Sequence, residues 1–288
     1  MNCSVIIPAR NSAQTIEGTL NSLINGKRVP DEIIVVDGCS TDNTKAIAEK
    51  YGCKVIVNYN KNVAAARQIG IENACFEIVA FTDSDCRPAL GWLQGIWEHF
   101  RNDPSLSGVG GPIFLSHPTN KIQAYSANVF ESIMHFPKES TFITQKKMNG
   151  AFAGANSAYK KEAILSIGGF RKVFTNHAEE IDLFWRLIDA HAKLLFDPEI
   201  LVEHLGYPST IQQLIHTNFN YGMASTKLSK YHIGKQIDLS LYALLFRSII
   251  SVLNPFDHDQ WALLRALQLS IFIGAKLYSS LILRTINI

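Results

Sequence analysis

The chain reads as an α/β protein with a mainly parallel sheet covered by helices on both faces, and three observations predict this. Apolar, β-branched runs of strand length recur: SVIIPA (4–9), EIIVVD (32–37), KVIVNY (54–59) and EIVAFTD (77–83). Segments of helical periodicity separate them. The runs are continuously apolar and do not alternate, which is the pattern of strands buried on both faces.

After the first run, Ile16, Leu20, Leu23 and Ile24 recur at helical spacing, with Asn11 or Ser12 as the expected N-cap. Thr41 or Asp42 starts a second helix, which ends near Tyr51 and stops at Gly52. Val63–Ala74 and Trp92–Phe100 are the next helices. GVGGPIF (108–114) reads as a loop, or as backbone close to a ligand. A stretch without a readable pattern precedes GAFAGANSAYKKEAILSIGGF (150–170), which gives a small-residue strand, a short helix and a Gly-Gly turn. Residues 177–206 give a helix and two short strands.

The 288 residues suffice for one large domain, or for a domain with an appendage. A hydrophobic content of 47% excludes global disorder, and 27 basic against 25 acidic residues give no electrostatic case for nucleic-acid binding. The five cysteines, Cys3, Cys39, Cys53, Cys75 and Cys86, are odd in number and none forms a CxxC pair. That argues against a disulfide framework or zinc knuckle and for a reducing compartment. MNCSVIIPARN lacks a basic leader and reads as a first strand, not a signal peptide. A cytoplasmic location is expected.

In open parallel sheets, ligands bind beyond the carboxyl ends of the strands. Three polar clusters fall there: Pro8-Ala9-Arg10-Asn11, Asp37-Gly38-Cys39-Ser40-Thr41-Asp42, and Asp83-Ser84-Asp85. Folding brings successive strand ends together. Asp83 and Asp85 would point to opposite faces of a regular strand, but a turn can aim both into one pocket. Carboxylate oxygens suit hard cations such as Mg²⁺ or Mn²⁺, which take further ligands from a diphosphate. The other reading of the pair is an Asx turn capping a helix over 88–100.

IIPARN, VVDGCSTDNT, NVAAARQIGIENA, FTDSD, GANSAYKKEAILSIGGF and AEEIDLFWRL occur in this order over about residues 3–206. In that ordered set the chain resembles the family-2 glycosyltransferases, which have a Rossmann-like GT-A fold. The resemblance implies transfer of a sugar, with inversion, from a nucleotide-diphosphate donor, UDP by default, to an acceptor hydroxyl. It implies that Asp37 holds the nucleobase, Arg67 contacts the nucleotide, Asp83 faces the ribose or sugar, and Asp85 binds the metal. Pro8, Arg10, Ser40 and Ser84, from the same clusters, are further donor-site candidates. Where the family often has Asp-Asp-Gly, this chain has Asp37-Gly38-Cys39. Arg67 has a plainer alternative, pairing with Glu72 or Glu77 on a solvated helix face.

Inverting transfer needs a base for the acceptor's proton. Glu179, Glu180 and Asp182 cluster at the start of a helix, where acids are also favoured by the helix dipole, by roughly 0.3–1 kcal/mol each. Ile181, Trp185 and Ile188 mark its core-facing side. The family's Glu-Asp pair aligns with Glu179-Glu180, which makes Glu180 the expected base and Glu179 a further substrate-binding candidate. Asp182 is the next choice, although it can pair with Arg186 at i+4. His204 closes a predicted strand, and some relatives complete the metal site with a histidine there. It is expected to join Asp85 and Asp83 through a neutral imidazole.

The expected division is a catalytic domain over 1–230 and a C-terminal amphipathic helical segment over 231–288. In the helix over 239–254, Ser240, Arg247, Ser251 and Asn254 share one stripe, and in that over 261–284, Arg265, Gln268, Lys276, Ser279 and Ser280 do. Asn254-Pro255 separates the two. The first is shorter than the about 20 apolar residues a spanning helix needs and carries Arg247, and the second has Arg265 and Lys276 inside it. Both are expected to lie on a membrane surface, peripheral on its inner face, or to be partly inserted as a hairpin. The alternative is a helical pair closing the domain or a dimer interface. The acceptor is expected to be a glycan or lipid-linked molecule of polysaccharide or glycolipid assembly. A nucleotidyltransferase acting on a sugar phosphate is a rival reading, but ARNSAQT (9–15) is not the glycine-rich basic loop it needs. A non-catalytic nucleotide-sugar-binding protein is the other.

Overall fold

A computed structural model of the chain describes residues 1–146, 152–175, 177–233, 239–253 and 259–283. Strands and helices alternate from the start: β1 (Cys3–Ala9), α1 (Ile16–Ile24), β2 (Glu32–Asp37), α2 (Thr44–Lys50), β3 (Lys54–Val57), α3 (Val63–Asn73) and β4 (Ile78–Phe81). Then come β5 (Cys86–Pro88), α4 (Trp92–Asn102), β6 (Gly108–Gly110), β7 (Ile113–Leu115), α5 (Lys121–Ile133) and β8 (Thr141–Phe142). β9 (Ser157–Lys160), α6 (Lys161–Ser166), α7 (Glu179–Asp189), β10 (Leu194–Phe196) and β11 (Val202–His204) follow. The rest is helical: α8 (Ile211–Leu228), a π-helical turn over Ser229–Ile233, α9 (Leu239–Leu253) and α10 (Ala262–Ile282).

Eight strands form one sheet in the order β3-β2-β1-β4-β9-β6-β10-β8. The pairs from β3 to β4 and the β6–β10 pair are parallel, while β9 runs antiparallel to both its neighbours and β8 to β10. A second sheet, β5-β11-β7, is built of three short strands. Val5, Ile6, Ile7, Ile34, Val35, Val36, Val79 and Ala80 are completely buried, as continuous apolar runs require of a sheet covered on both faces.

GVGGPIF is mostly strand and not loop: β6 lies within it and β7 begins in it. Glycine is there for space. A Cβ on Gly108 would meet the Tyr159 ring at 2.6 Å, and one on Gly110 the Phe152 ring at 2.6 Å. A Cβ on Gly111 would lie 2.0 Å from the Ile200 carbonyl, so the close approach is to another segment of the chain. Asn11 and Ser12 do not cap α1, which starts later, after Thr15. Gly52 ends α2 with φ +73°, the left-handed conformation that a helix stop favours.

The described residues fall into two compact units. Met1–His117, Ser132–Thr175 and Glu179–Gly206 form the first, which contains both sheets. The second comprises Pro118–Glu131, Asn176–Ala178 and Tyr207–Ile288, taken over their described residues. Inside the second unit α10 packs along α8, where Gly222 leaves room for the Phe272 carbonyl, 2.5 Å from the place a Cβ would take. The Tyr125 hydroxyl donates to Gln268 Oε1 and fixes α5 to α10.

The polar stripe of α10 faces inward. Lys276, Ser279 and Ser280 are buried, whereas on α9 Arg247 of the predicted stripe is exposed and Ser248, outside it, is buried. Leu253, Leu263, Leu281 and Phe246 are 75%, 68%, 79% and 65% exposed. No helix of the described residues is long and apolar enough to cross a membrane. The Asn254-Pro255 break, Gly150 and Arg284 lie outside the described residues.

Candidate active site

The carboxyl ends of β1, β2 and β4 lie side by side, because Ala9 pairs with Asp37 and Ile6 with Phe81. Pro8 follows the last rung that β1 shares with β4. The two loops beyond β1 and β2 are knitted by side chains. Asn11 N donates to Ser40 Oγ (2.8 Å), Thr41 N to Asn11 Oδ1 (2.9 Å), Ser12 N to Thr44 Oγ1 (2.7 Å) and Ala13 N to Asp42 Oδ2 (3.0 Å). This is the work Asn11 and Ser12 do instead of capping.

Asp37 is 3% exposed, and both its oxygens accept from Ser40: Oδ2 from the backbone N–H (3.1 Å) and Oδ1 from the hydroxyl (2.5 Å). Cys39 beside it holds φ +58°, a conformation unusual for a residue with a Cβ. Arg10 is exposed and lies over Gly38. Ser84 Oγ donates to Ser12 Oγ at 2.8 Å, joining the third strand end to the first. A cleft of about 300 Å³ opens among Arg10, Asn11, Ser12, Ser84, Asp85 and Gly206.

After β4 the chain turns through Asp83 and Asp85 into β5, and the pair does not cap α4, whose N-cap is Gly91. β5 pairs antiparallel with β11 in a register that sets His204 opposite Cys86. That pairing carries the histidine to the acids: His204 Nε2 lies 3.7 Å from Asp85 Oδ1. One ligand atom from each of Asp83, Asp85, Cys86 and His204 falls within 4.8 Å of the others.

These donors fit a hard divalent cation. Two carboxylates and an imidazole converge, and the buried Nδ1 of His204 has no hydrogen-bond partner. Burial pushes the Asp85 carboxyl above the usual aspartate range, with His204 pulling it down and Asp83 pushing it further up. Such a group gains from a positive charge. Cys86 is the poor member, since burial drives its thiol well above the ordinary range and keeps it protonated. A Cβ on Gly206 would stand 1.7 Å from Asp85 Oδ2. Gly206 carries no sequence signal of its own.

Arg67 is not on a solvated face and pairs with neither Glu72 nor Glu77. It is 3% exposed, donates from Nη2 to Asp83 Oδ1 at 3.0 Å, and donates from Nη1 to Glu179. Burial opposes its charge, but Asp83 and then Glu179 and Glu180 more than restore it, so its pKa is raised. Burial, then the Glu180 charge, push the Glu179 carboxyl up, and the Arg67 guanidinium bound to it pulls the other way and favours its charged form. Glu180 next to it is half-buried.

Asp182 lies elsewhere. It is completely buried, with Arg171 Nη1 at 3.1 Å and Arg186 Nε donating at 2.9 Å. Arg186 also donates to the Ile167 and Gly169 carbonyls, fastening α7 to the Gly-Gly turn. The core-facing side of α7 is wider than Ile181, Trp185 and Ile188. Leu183, Phe184, Trp185 and Leu187 are the apolar residues buried there, and Ile181 and Ile188 are only half-buried.

The family model described as glycosyl transferase family 2 matches residues 4–168. The pre-mycofactocin glycosyltransferase of Mycobacterium tuberculosis is 30% identical over 240 residues, which cover 82% of this chain and 49% of that protein. The chain thus spans about half the length of that relative. Glycosyltransferase AglE of Haloferax volcanii is 27% identical over 261 residues, 84% of this chain and 80% of AglE. Among solved structures, the mannosyltransferase PcManGT of Pyrobaculum calidifontis, in complex with GDP-Man and Mn²⁺, superposes with a TM-score of 0.66. It shares 16% identity, over 96% of this chain and 86% of that one. TarS of S. aureus gives a TM-score of 0.58 at 17% identity, over 99% of this chain and 92% of the TarS chain.

Proposed function

The chain belongs to glycosyl transferase family 2 and has the GT-A fold, and from that premise we propose that it moves a sugar, with inversion, from a nucleotide-diphosphate donor to an acceptor hydroxyl. The observation that carries this is the convergence of Asp83, Asp85 and His204 at the carboxyl end of β4. Asp37 and Ser40 receive the nucleobase end of the donor, with Pro8, Arg10 and Ser84 along the same strand ends. Asp83 faces the ribose or sugar. Asp85 and His204, with Asp83, hold Mg²⁺ or Mn²⁺, which when bound supplies positive charge against the diphosphate.

Glu180 is the base. The acceptor oxygen attacks the anomeric carbon opposite the diphosphate, and its proton passes to the Glu180 carboxylate. The bond to the diphosphate breaks, and the nucleoside diphosphate leaves with the electron pair. Asp182 takes no part in this, being closed between two arginines. UDP is the proposed nucleotide and a lipid-linked glycan the proposed acceptor.

The outward apolar face of α9 and α10 supports a lipid surface as the partner of the second unit. Burying Lys276, Ser279 and Ser280 while exposing leucines is what an apolar surrounding selects and water does not.

The test is thermal unfolding of the full chain with UDP-sugars and GDP-mannose, each with and without Mn²⁺. A ligand that binds the native state raises the midpoint by mass action. Stabilisation by a nucleotide sugar that requires Mn²⁺ is expected, and no nucleotide sugar stabilising the chain in either condition refutes the reading.

A further inference from the structure

Arg67 carries more of the site's geometry than its place on α3 suggests. It joins two elements far apart in sequence: Nη2 grips Asp83 Oδ1 at 3.0 Å, and Nη1 binds Glu179 at the start of α7. The fold keeps a slot for the guanidinium, since a Cβ on Gly154 would stand 2.6 Å from Nη2. Among the described residues, no hydrogen bond engages the other Asp83 oxygen, Oδ2.

The balance of charge matters as much. An unpaired guanidinium against a cation-holding aspartate would repel a divalent ion at short range. Glu179, itself 3% exposed, cancels that charge in place. What remains is a rigid fork that fixes one oxygen of Asp83 and leaves the second free.

We propose, resting on the glycosyl-transfer reading above, that Arg67 is a positioning residue. Through Asp83 it sets the carboxylate orientation that the cation and the donor meet, and Glu179 is its buried counter-charge, not a donor ligand. At 3% exposure Arg67 reaches a nucleotide through Asp83 and not by touching it.

The experiment uses the full chain as R67M, E179M and the R67M/E179M double variant, read by Mn²⁺ titration with electron paramagnetic resonance and by thermal unfolding. Each single change strands a buried charge and lowers the unfolding midpoint. The double change removes both charges at similar volume and recovers most of that loss. In the folded double variant Mn²⁺ is expected to bind about 10- to 100-fold more weakly than in the wild type, as for other supports of metal ligands. A pair that only holds the fold together would let affinity return with stability, so wild-type Mn²⁺ affinity in the folded double variant overturns the proposal.

Arg67→Lys is the second arm, which serves if the double variant does not fold. It keeps the charge but replaces the fork by a single point. Weakened Mn²⁺ binding at a near-wild-type midpoint is expected, and unchanged binding overturns the proposal. Mn²⁺ alone is the probe, so the two readings fail separately. A wild type that binds Mn²⁺ but no nucleotide sugar sinks the transfer reading while the Arg67 variants still decide this one. A wild type that binds no Mn²⁺ overturns the proposal.

Discussion

Gly206 backs directly onto Asp85: a Cβ at position 206 would come within 1.7 Å of the Asp85 Oδ2. Neither can move freely, since Leu205 N donates to the Asp85 carbonyl at 2.9 Å. Gly206→Ala is therefore expected to swing the carboxylate off the cation site and lower Mn²⁺-supported turnover by about 10- to 100-fold. His204→Ala removes a proposed ligand and should weaken the metal requirement in the same assay. A Gly206→Ala enzyme with wild-type Mn²⁺ dependence would show that Asp85 holds no cation.

Glu180→Gln keeps the shape of the proposed base and removes its proton acceptor. Transfer should fall by about 10²–10⁴-fold, while nucleotide-sugar binding, followed by calorimetry, stays near wild type. Parallel loss of both would move the base elsewhere.

The second unit should weaken in mild acid through His177. Its ring packs on Tyr221 with centroids 4.5 Å apart, and burial, followed by the charge of His216, pushes it down to about 4. A depressed folded-state value means that the neutral ring contributes its full stability above the ordinary histidine value, near 6.5, and loses it as pH falls through about 4. The thermal midpoint should drop across that window, and the drop should be shallower in His177→Asn. Identical slopes for both chains would acquit the histidine.

Leu253 and Leu281 are 75% and 79% exposed. Replacing both by glutamate should abolish co-flotation of the full chain with anionic vesicles and leave the far-ultraviolet spectrum unchanged. Retained flotation, or a wild-type dimer in sedimentation that the double substitution splits, would assign the face to something other than lipid.

How far the fold can be read from the sequence depends on what makes each element. β2 is legible to the residue, because EIIVVD is apolar, β-branched and bounded by polar turns. β6 is not. Its glycines lie under the Tyr159 and Phe152 rings, a packing demand that no propensity records. α8 escapes notice because part of its contact with α10 is made by a small and a polar position, Gly222 beneath the Phe272 carbonyl and Thr226, whose hydroxyl donates to the Lys276 carbonyl. The same logic governs the site. Asp83 and Asp85 stand out as a local pattern, but the Arg67 links to Asp83 and Glu179 are tertiary pairings. One of them joins residues 112 apart, and spacing cannot display it.

The register of β5 on β11 has a consequence in time. Asp83 and Asp85 are made before His204, which follows more than a hundred residues later and reaches them only when its strand docks. A half-made chain therefore owns the acids without their imidazole. The cluster of two carboxylates and an imidazole is thus a product of tertiary folding, assembled only when the strand carrying His204 has docked on β5.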